Sequence, residues 1–240
     1  MPIRIAVRAL LCALLWICLY PPGTHAAEGA CFANFDRRAK AGQRLNVVFF
    51  GASLTWGANA TDPLLTSYRA RIAERLEKAY PQARIKCWDA AIGGTGSQLG
   101  LFRVDRDVLR RKPDLVFLDF SANDDIYTDG RESLASYEAI IRRLILEAKC
   151  PVVQVIFPFK WNVAMGALDD MKRRTAHRRI GAAYHTAVGD AIELARRQVE
   201  SGALKIDAIW PFDGAHPGDA GYELFAESAW SAFQGGIKTG

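Results

Sequence analysis

Four short stretches of this chain hold residue types that can carry out acyl chemistry. Ser53 stands between Gly51 and Gly57, just after the apolar run 45–50, where a hydroxyl can project from a strand-to-helix turn. Asp213 and His216 lie three residues apart in the loop-like segment Asp213-Gly214-Ala215-His216-Pro217. A serine hydroxyl becomes a nucleophile when a base takes its proton, and the base needs an acceptor that holds its tautomer. One short segment supplies both. Gly93-Gly94 lets a backbone N–H approach a ligand with no Cβ in the way, and Asn123 brings a side-chain amide. With the Ser53 N–H these make three donors for a developing oxyanion, each worth roughly 10²–10³ in rate. Taken singly, the serine reads as a helix cap and Asn123-Asp124-Asp125 as a turn, so the joint occurrence carries the argument. His177 and His185 fall in Arg- and Ala-rich helical surroundings and read as surface or core histidines.

Hydrophobic periodicity supplies the elements that must position these residues. Short β-rich apolar runs predict strands over 45–50, 85–88, 115–118 and 152–157. Helices are predicted over 67–80, 99–111 and 134–148, over much of 170–200, and over 219–233. Residues 158–166 read as irregular. Strands alternating with helices of ten or more residues imply βαβ units and a parallel sheet covered on both faces. The expected fold class is α/β: a single doubly wound three-layer α/β/α domain with a central, mostly parallel sheet. Ligands of such sheets bind beyond the carboxyl ends of the strands, which is where Ser53, Gly93-Gly94 and Asn123 fall.

In their order, Ser, Gly, Asn and His at successive points of an α/β chain, these blocks resemble the SGNH (GDSL-type) hydrolase family. Phe50-Gly51-Ala52-Ser53-Leu54-Thr55-Trp56-Gly57 is similar to its first block, with Ser53 at the nucleophile. Ala91-Ile92-Gly93-Gly94-Thr95-Gly96 is similar to the second, with Gly94 at the oxyanion glycine. Ser121-Ala122-Asn123-Asp124 is similar to the third, with Asn123 at the oxyanion asparagine, and Asp213 and His216 match the last block. The sequence departs from the family pattern at Ala52, where Asp is usual, at Ser121, where Gly is usual, and at Asp89, where Asn is frequent. The resemblance implies a flavodoxin-like SGNH fold and a serine esterase acting through an acyl-enzyme, with Ser53, Asp213 and His216 catalytic. Ser53, Gly94 and Asn123 would form the oxyanion hole. No cofactor and no metal are expected, and no H-E-x-x-H or Cys/His ligand spacing is present.

Outside these blocks, residues 1–26 combine Arg4 and Arg8, a short apolar run and the small residues around Ala26, which reads as a cleaved export signal. The run is shorter than the roughly 20 residues of a membrane span, so no stable insertion is expected after cleavage. Residues 27–44 then form an amino-terminal segment and 45–235 the hydrolase domain. Loss of Arg4 and Arg8 takes the formal net charge from +5 to +3, too little to argue for nucleic acid. Arg103, Arg106, Arg110, Arg111 and Lys112 recur at helical spacing, as do Lys172, Arg173, Arg174, Arg178 and Arg179, and both sets read as solvated helix faces. Cys31, Cys87 and Cys150 remain, an odd count that permits one bridge and one thiol.

Export and the aromatics Trp56, Phe159 and Trp161 near the strand ends favour a short acyl group, acetyl, on a carbohydrate. A lipid acylhydrolase, lysophospholipase or thioesterase acting on longer chains is the alternative, and a noncatalytic carbohydrate-binding relative is a third reading. A dinucleotide loop is disfavoured, because Leu99 stands where G-x-G-x-x-G needs its third glycine.

Overall fold

The computed structural model describes residues 30–164 and 170–239; the predicted export signal lies outside the described residues. Five parallel strands form one sheet in the order β2-β1-β3-β4-β5: β1 (Arg44–Gly51), β2 (Arg84–Ala91), β3 (Leu115–Leu118), β4 (Val152–Ile156) and β5 (Ala187–Asp190). β3 and β4 are buried along their whole length, as parallel strands covered on both faces must be. Successive side chains of β1 serve two cores. Val47 and Phe49 face one that includes Phe117, Phe157 and Phe225. Val48 and Phe50 face the other, with Val116, Leu118, Tyr137 and Ile140.

Helices α1 (Phe32–Lys40), α3 (Tyr68–Ala79) and α10 (Asp219–Thr239) contribute to the first core. α4 (Ser97–Asp107) and α5 (Arg131–Leu146) contribute to the second. Ser67 caps α3 by accepting the Ala70 N–H at 3.3 Å. The short helices α2 (Ser53–Trp56), α6 (Lys160–Ala164) and α9 (Ile206–Ile209) sit in connections, and α7 (Lys172–Tyr184) and α8 (Ala191–Glu200) flank β5.

Several expectations change. The predicted helical stretch 170–200 is split by a fifth strand. α7 ends at His185, which takes the left-handed φ of 54°, and the Asp190 side chain caps α8 by accepting the Glu193 N–H at 3.1 Å. Ala-Val-Gly-Asp is too short to show alternation. Gly189 is there because a Cβ would approach the Ser228 carbonyl oxygen of α10 to 2.9 Å. The segment 27–44 carries α1, whose Phe32 and Phe35 pack edge-on against Phe233, so the core begins before residue 45. Residues 160–164 of the irregular segment are helical, and the last helix runs beyond 233 to Thr239. The helix expected over 99–111 stops at Asp107 and is followed by a 3₁₀ turn, Leu109–Arg111.

Neither basic stretch is a uniformly solvated face. Arg103, Arg173 and Arg174 are buried. Each has a tertiary partner that the helical spacing does not reveal: strand-end carbonyls for Arg103, the 124–125 loop for Arg173, and Asp190 for Arg174. Among the described residues, Cys31, Cys87 and Cys150 form no disulfide.

Candidate active site

β1 delivers Ser53. Gly51 ends the strand because a Cβ there would lie 2.2 Å from Thr55 Oγ1 and 2.6 Å from the Asp119 carbonyl oxygen. Ala52 is buried, and Ser53 opens the single turn α2. That turn closes at Gly57, whose φ of 99° lies in the left-handed region and whose N–H returns to the Ser53 carbonyl at 2.9 Å. The loop before α10 delivers His216. Its Nε2 lies 3.1 Å from Ser53 Oγ, and its Nδ1 lies 3.3 Å from Asp213 Oδ2. Thus 163 residues of sequence separation close into one line of three side chains.

Asp213 is held from several directions. Its Oδ1 accepts the N–H groups of Ala215 (2.7 Å) and His216 (2.6 Å), and its Oδ2 accepts the Asn59 side-chain amide at 2.8 Å. Partial burial opposes ionisation of Asp213, but these hydrogen bonds outweigh it and bring the pKa down to about 2. The carboxylate is therefore charged throughout the neutral range and able to hold an imidazolium. Asn59 itself takes a left-handed φ of 68°, a conformation asparagine tolerates better than most residues. Sequence reading missed Asn59, because a loop asparagine six residues after a serine carries no pattern that points across the fold.

The second strand end meets the first. The Ile92 N–H donates to the Gly51 carbonyl at 3.1 Å, and Gly93 lies so close to Ser53 that a Cβ would stand 3.8 Å from the Ser53 Cβ. Gly94 follows with φ 71°, and no atom lies within 4 Å of where its Cβ would be. The third strand end abuts this loop, since Asp124 Oδ1 accepts the Ser97 N–H at 2.8 Å and Asn123 stands exposed beside it. Beneath them, buried Asp119 accepts the hydroxyls of Thr55 (3.2 Å) and Ser121 (3.4 Å), tying the serine turn to the asparagine turn. Burial pushes its carboxyl up to about 7 against the pull of those hydroxyls. Ser121, standing where the family has glycine, also fastens the fourth strand end, because its Oγ accepts the Phe157 N–H at 3.0 Å.

The aromatics separate into two groups. Trp56 is 48% exposed on α2. Trp161 is 44% exposed and lies over the Asp213–His216 loop, where a Cβ on Gly214 would meet its ring at 2.8 Å. The Lys160 N–H fixes the same loop through the Gly214 carbonyl at 2.8 Å. Phe159 instead packs partly into the core, 4.8 Å from Trp161 between ring centroids. His177 stacks on Tyr137 at 3.7 Å inside the protein and His185 ends α7, so neither joins the site. Among the described residues there is no group of three or more His, Cys, Asp or Glu able to hold a metal ion. Nor is any described helix long and apolar enough to cross a membrane.

A doubly wound parallel sheet with a serine, a histidine and an aspartate in line beyond its strands fits the SGNH-type hydrolases. The chain belongs to the GDSL-like lipase/acylhydrolase family, a family of carboxylic ester hydrolases, whose sequence profile matches residues 49–224. An acetylxylan esterase of Geobacillus stearothermophilus is 27% identical over 148 residues, 56% of this chain and 68% of that protein. The crystal structure of a two-domain esterase active on acetylated mannans, co-crystallized with mannopentaose, superposes with a TM-score of 0.75 at 32% identity. That match covers 88% of this chain and 55% of the other, so the present chain spans little more than half of the two-domain protein. An acetylxylan esterase structure from G. stearothermophilus shares the fold, with a TM-score of 0.62 at 23% identity over 79% of this chain and 94% of that one.

Proposed function

We propose that this protein is an exported serine esterase that removes acetyl groups from an acetylated polysaccharide, with Ser53, His216 and Asp213 as its catalytic triad. The observation that carries the reading is the line from Ser53 Oγ to His216 Nε2 and from His216 Nδ1 to Asp213 Oδ2, at 3.1 and 3.3 Å. His216 Nε2 takes the Ser53 proton as Oγ bonds to the acetyl carbon, and the carbonyl oxygen becomes an oxyanion. The N–H groups of Ser53 and Gly94 and the Asn123 amide receive that charge, while Asp213 holds the imidazolium. Collapse breaks the bond to the sugar oxygen, which leaves with the proton from His216, and acetyl-Ser53 remains. Water then attacks through the same base, releasing acetate and restoring Ser53.

Acetyl and polysaccharide are supported by the acetylated-mannan and acetylxylan esterases that this chain resembles, and by the exposed indoles of Trp56 and Trp161, which can stack on pyranose rings. Phe159 serves as backing for Trp161 rather than as a contact surface. A polymeric substrate outside the cytoplasm also accords with the export signal read in residues 1–26.

The test is hydrolysis of nitrophenyl esters from acetyl to decanoyl, and acetate release from acetylated mannan and acetylated xylan, by the protein and its Ser53→Ala variant. The expected result is Ser53-dependent activity that falls steeply beyond acetyl, with acetate released from the polymers. Activity rising with chain length would replace the acetyl reading with the acylhydrolase one. Polymer binding without Ser53-dependent turnover would point to the noncatalytic relative.

A further inference from the structure

One buried cation joins the two strand ends that carry the proposed chemistry. Arg103, on α4, is 5% exposed. Its Nη1 donates to the Ala90 carbonyl at 2.6 Å and its Nη2 to the Gly51 carbonyl at 2.8 Å. Gly51 lies two residues before Ser53, and Ala90 lies three before Gly93. β1 and β2 run side by side in parallel, with Phe50 opposite Ala90 and Gly51 opposite Ala91, so one planar fork spans the last carbonyl of β1 and the penultimate carbonyl of β2. Asp107, one turn further along the same helix, pairs with Nη1 at 3.1 Å. The rings of Phe50 and Phe120 lie 4.4 and 5.8 Å from the guanidinium carbon.

Taking a guanidinium out of water is expensive, and an arginine on an ordinary helix face would meet Asp107 in solvent instead. Here the side chain turns inward, and its two donors reach the two strand ends, already joined by the Ile92 N–H to Gly51 carbonyl bond, that lead into the loops whose separation decides whether the Ser53 and Gly94 N–H groups converge on one oxygen. Lysine can replace this only in part, because an ammonium is a point charge without the fork.

We propose that Arg103 is a positioning residue for the oxyanion site, its guanidinium setting the distance between the Ser53 turn and the Gly93-Gly94 loop. Its consequence for rate rests on the esterase reading; the clamp itself does not. A misplacement on the order of 1 Å at such donors lowers turnover about 10²-fold, without removing any group that touches substrate.

The experiment compares the full chain with Arg103→Met, Arg103→Lys and Arg106→Gln. Arg106 is exposed and pairs with the same Asp107, which makes its variant the control. Each is assayed on nitrophenyl acetate and by amide hydrogen exchange. In Arg103→Met, kcat is expected to fall about 10²-fold, with KM within about threefold of wild type. Arg103→Lys should recover part of that loss, and Arg106→Gln should retain the wild-type kcat. Exchange in Arg103→Met should accelerate over 51–54 and 90–95 but not in β4. A folded Arg103→Met with wild-type kcat would overturn the proposal, as would an equal loss in Arg106→Gln or acceleration spread evenly over the sheet. Should Arg103→Met fail to fold, Arg103→Lys decides: wild-type kcat and exchange in that variant overturn the clamp. If the wild-type protein shows no Ser53-dependent turnover, the esterase reading falls, and the exchange pattern still tests the clamp.

Discussion

At the scale of single residues, the site combines two carboxyl groups with opposite electrostatics. Asp213 is kept charged by the hydrogen bonds it accepts, whereas Asp119, sealed below the serine turn with two hydroxyls as partners, is pushed up to about 7. The consequences for stability have opposite sign. Asp213 stabilises the fold above its unfolded pKa, and that contribution is lost as pH falls towards about 2. Asp119 holds its proton in the folded state where the unfolded chain has released it. Its contribution therefore declines as pH rises from the ordinary carboxylate range towards about 7. Asp119→Asn is expected to remove that decline, so the thermal midpoint of the variant should gain on wild type between pH 4 and pH 7. Thermal unfolding across that range checks it; parallel curves for the two proteins would refute it.

At the scale of elements, a four-residue helix carries Ser53, and its shape depends on the glycine that ends it. Gly57 adopts φ 99°, and a Cβ there would come within 2.6 Å of the Ser67 Cβ at the cap of α3. Gly57→Ala meets both backbone strain and this contact, so unfolding in denaturant should show a loss of about 2 kcal/mol. Because the strained turn is the one presenting Ser53, kcat on nitrophenyl acetate should fall as well. A stability loss with unchanged kcat would show that the strain is absorbed without displacing Ser53. Elements of this kind are poorly legible in sequence. α2 is too short for periodicity, β5 has four residues in a basic helical context, and α6 begins two residues after a proline. Longer elements with continuous apolar runs, β1, β3 and β4, stand within a residue or two of where the hydrophobic pattern puts them.

At the scale of the molecule, stability and chemistry occupy different parts of the same sheet. Phe233, fully buried on α10, touches the rings of Phe32, Phe35, Phe117 and Trp230 and ties the amino-terminal helix to the last one. Phe233→Ala should lower unfolding stability by about 3–5 kcal/mol. Turnover below the shifted unfolding transition should be unchanged, because none of its ring contacts is with a strand-end loop. A proportional loss of kcat in the folded variant would show that the first core and the site are coupled.

The sequence by itself determined the class of fold, since apolar runs alternating with long helical segments admit few arrangements. It also singled out Ser53, Asn123, Asp213 and His216, whose types and order carry meaning before any neighbour is known, and through the family resemblance Gly94. The tertiary structure decided what depends on partners distant in the chain. It brought His216 to Ser53 and Asn59 to Asp213, and it turned Arg103 and Arg173 from surface charges into buried partners of the β1 and β2 ends and of the 124–125 loop. Helical spacing records which face a side chain occupies. Whether that face meets water or two strand-end carbonyls is settled only when the strands have assembled.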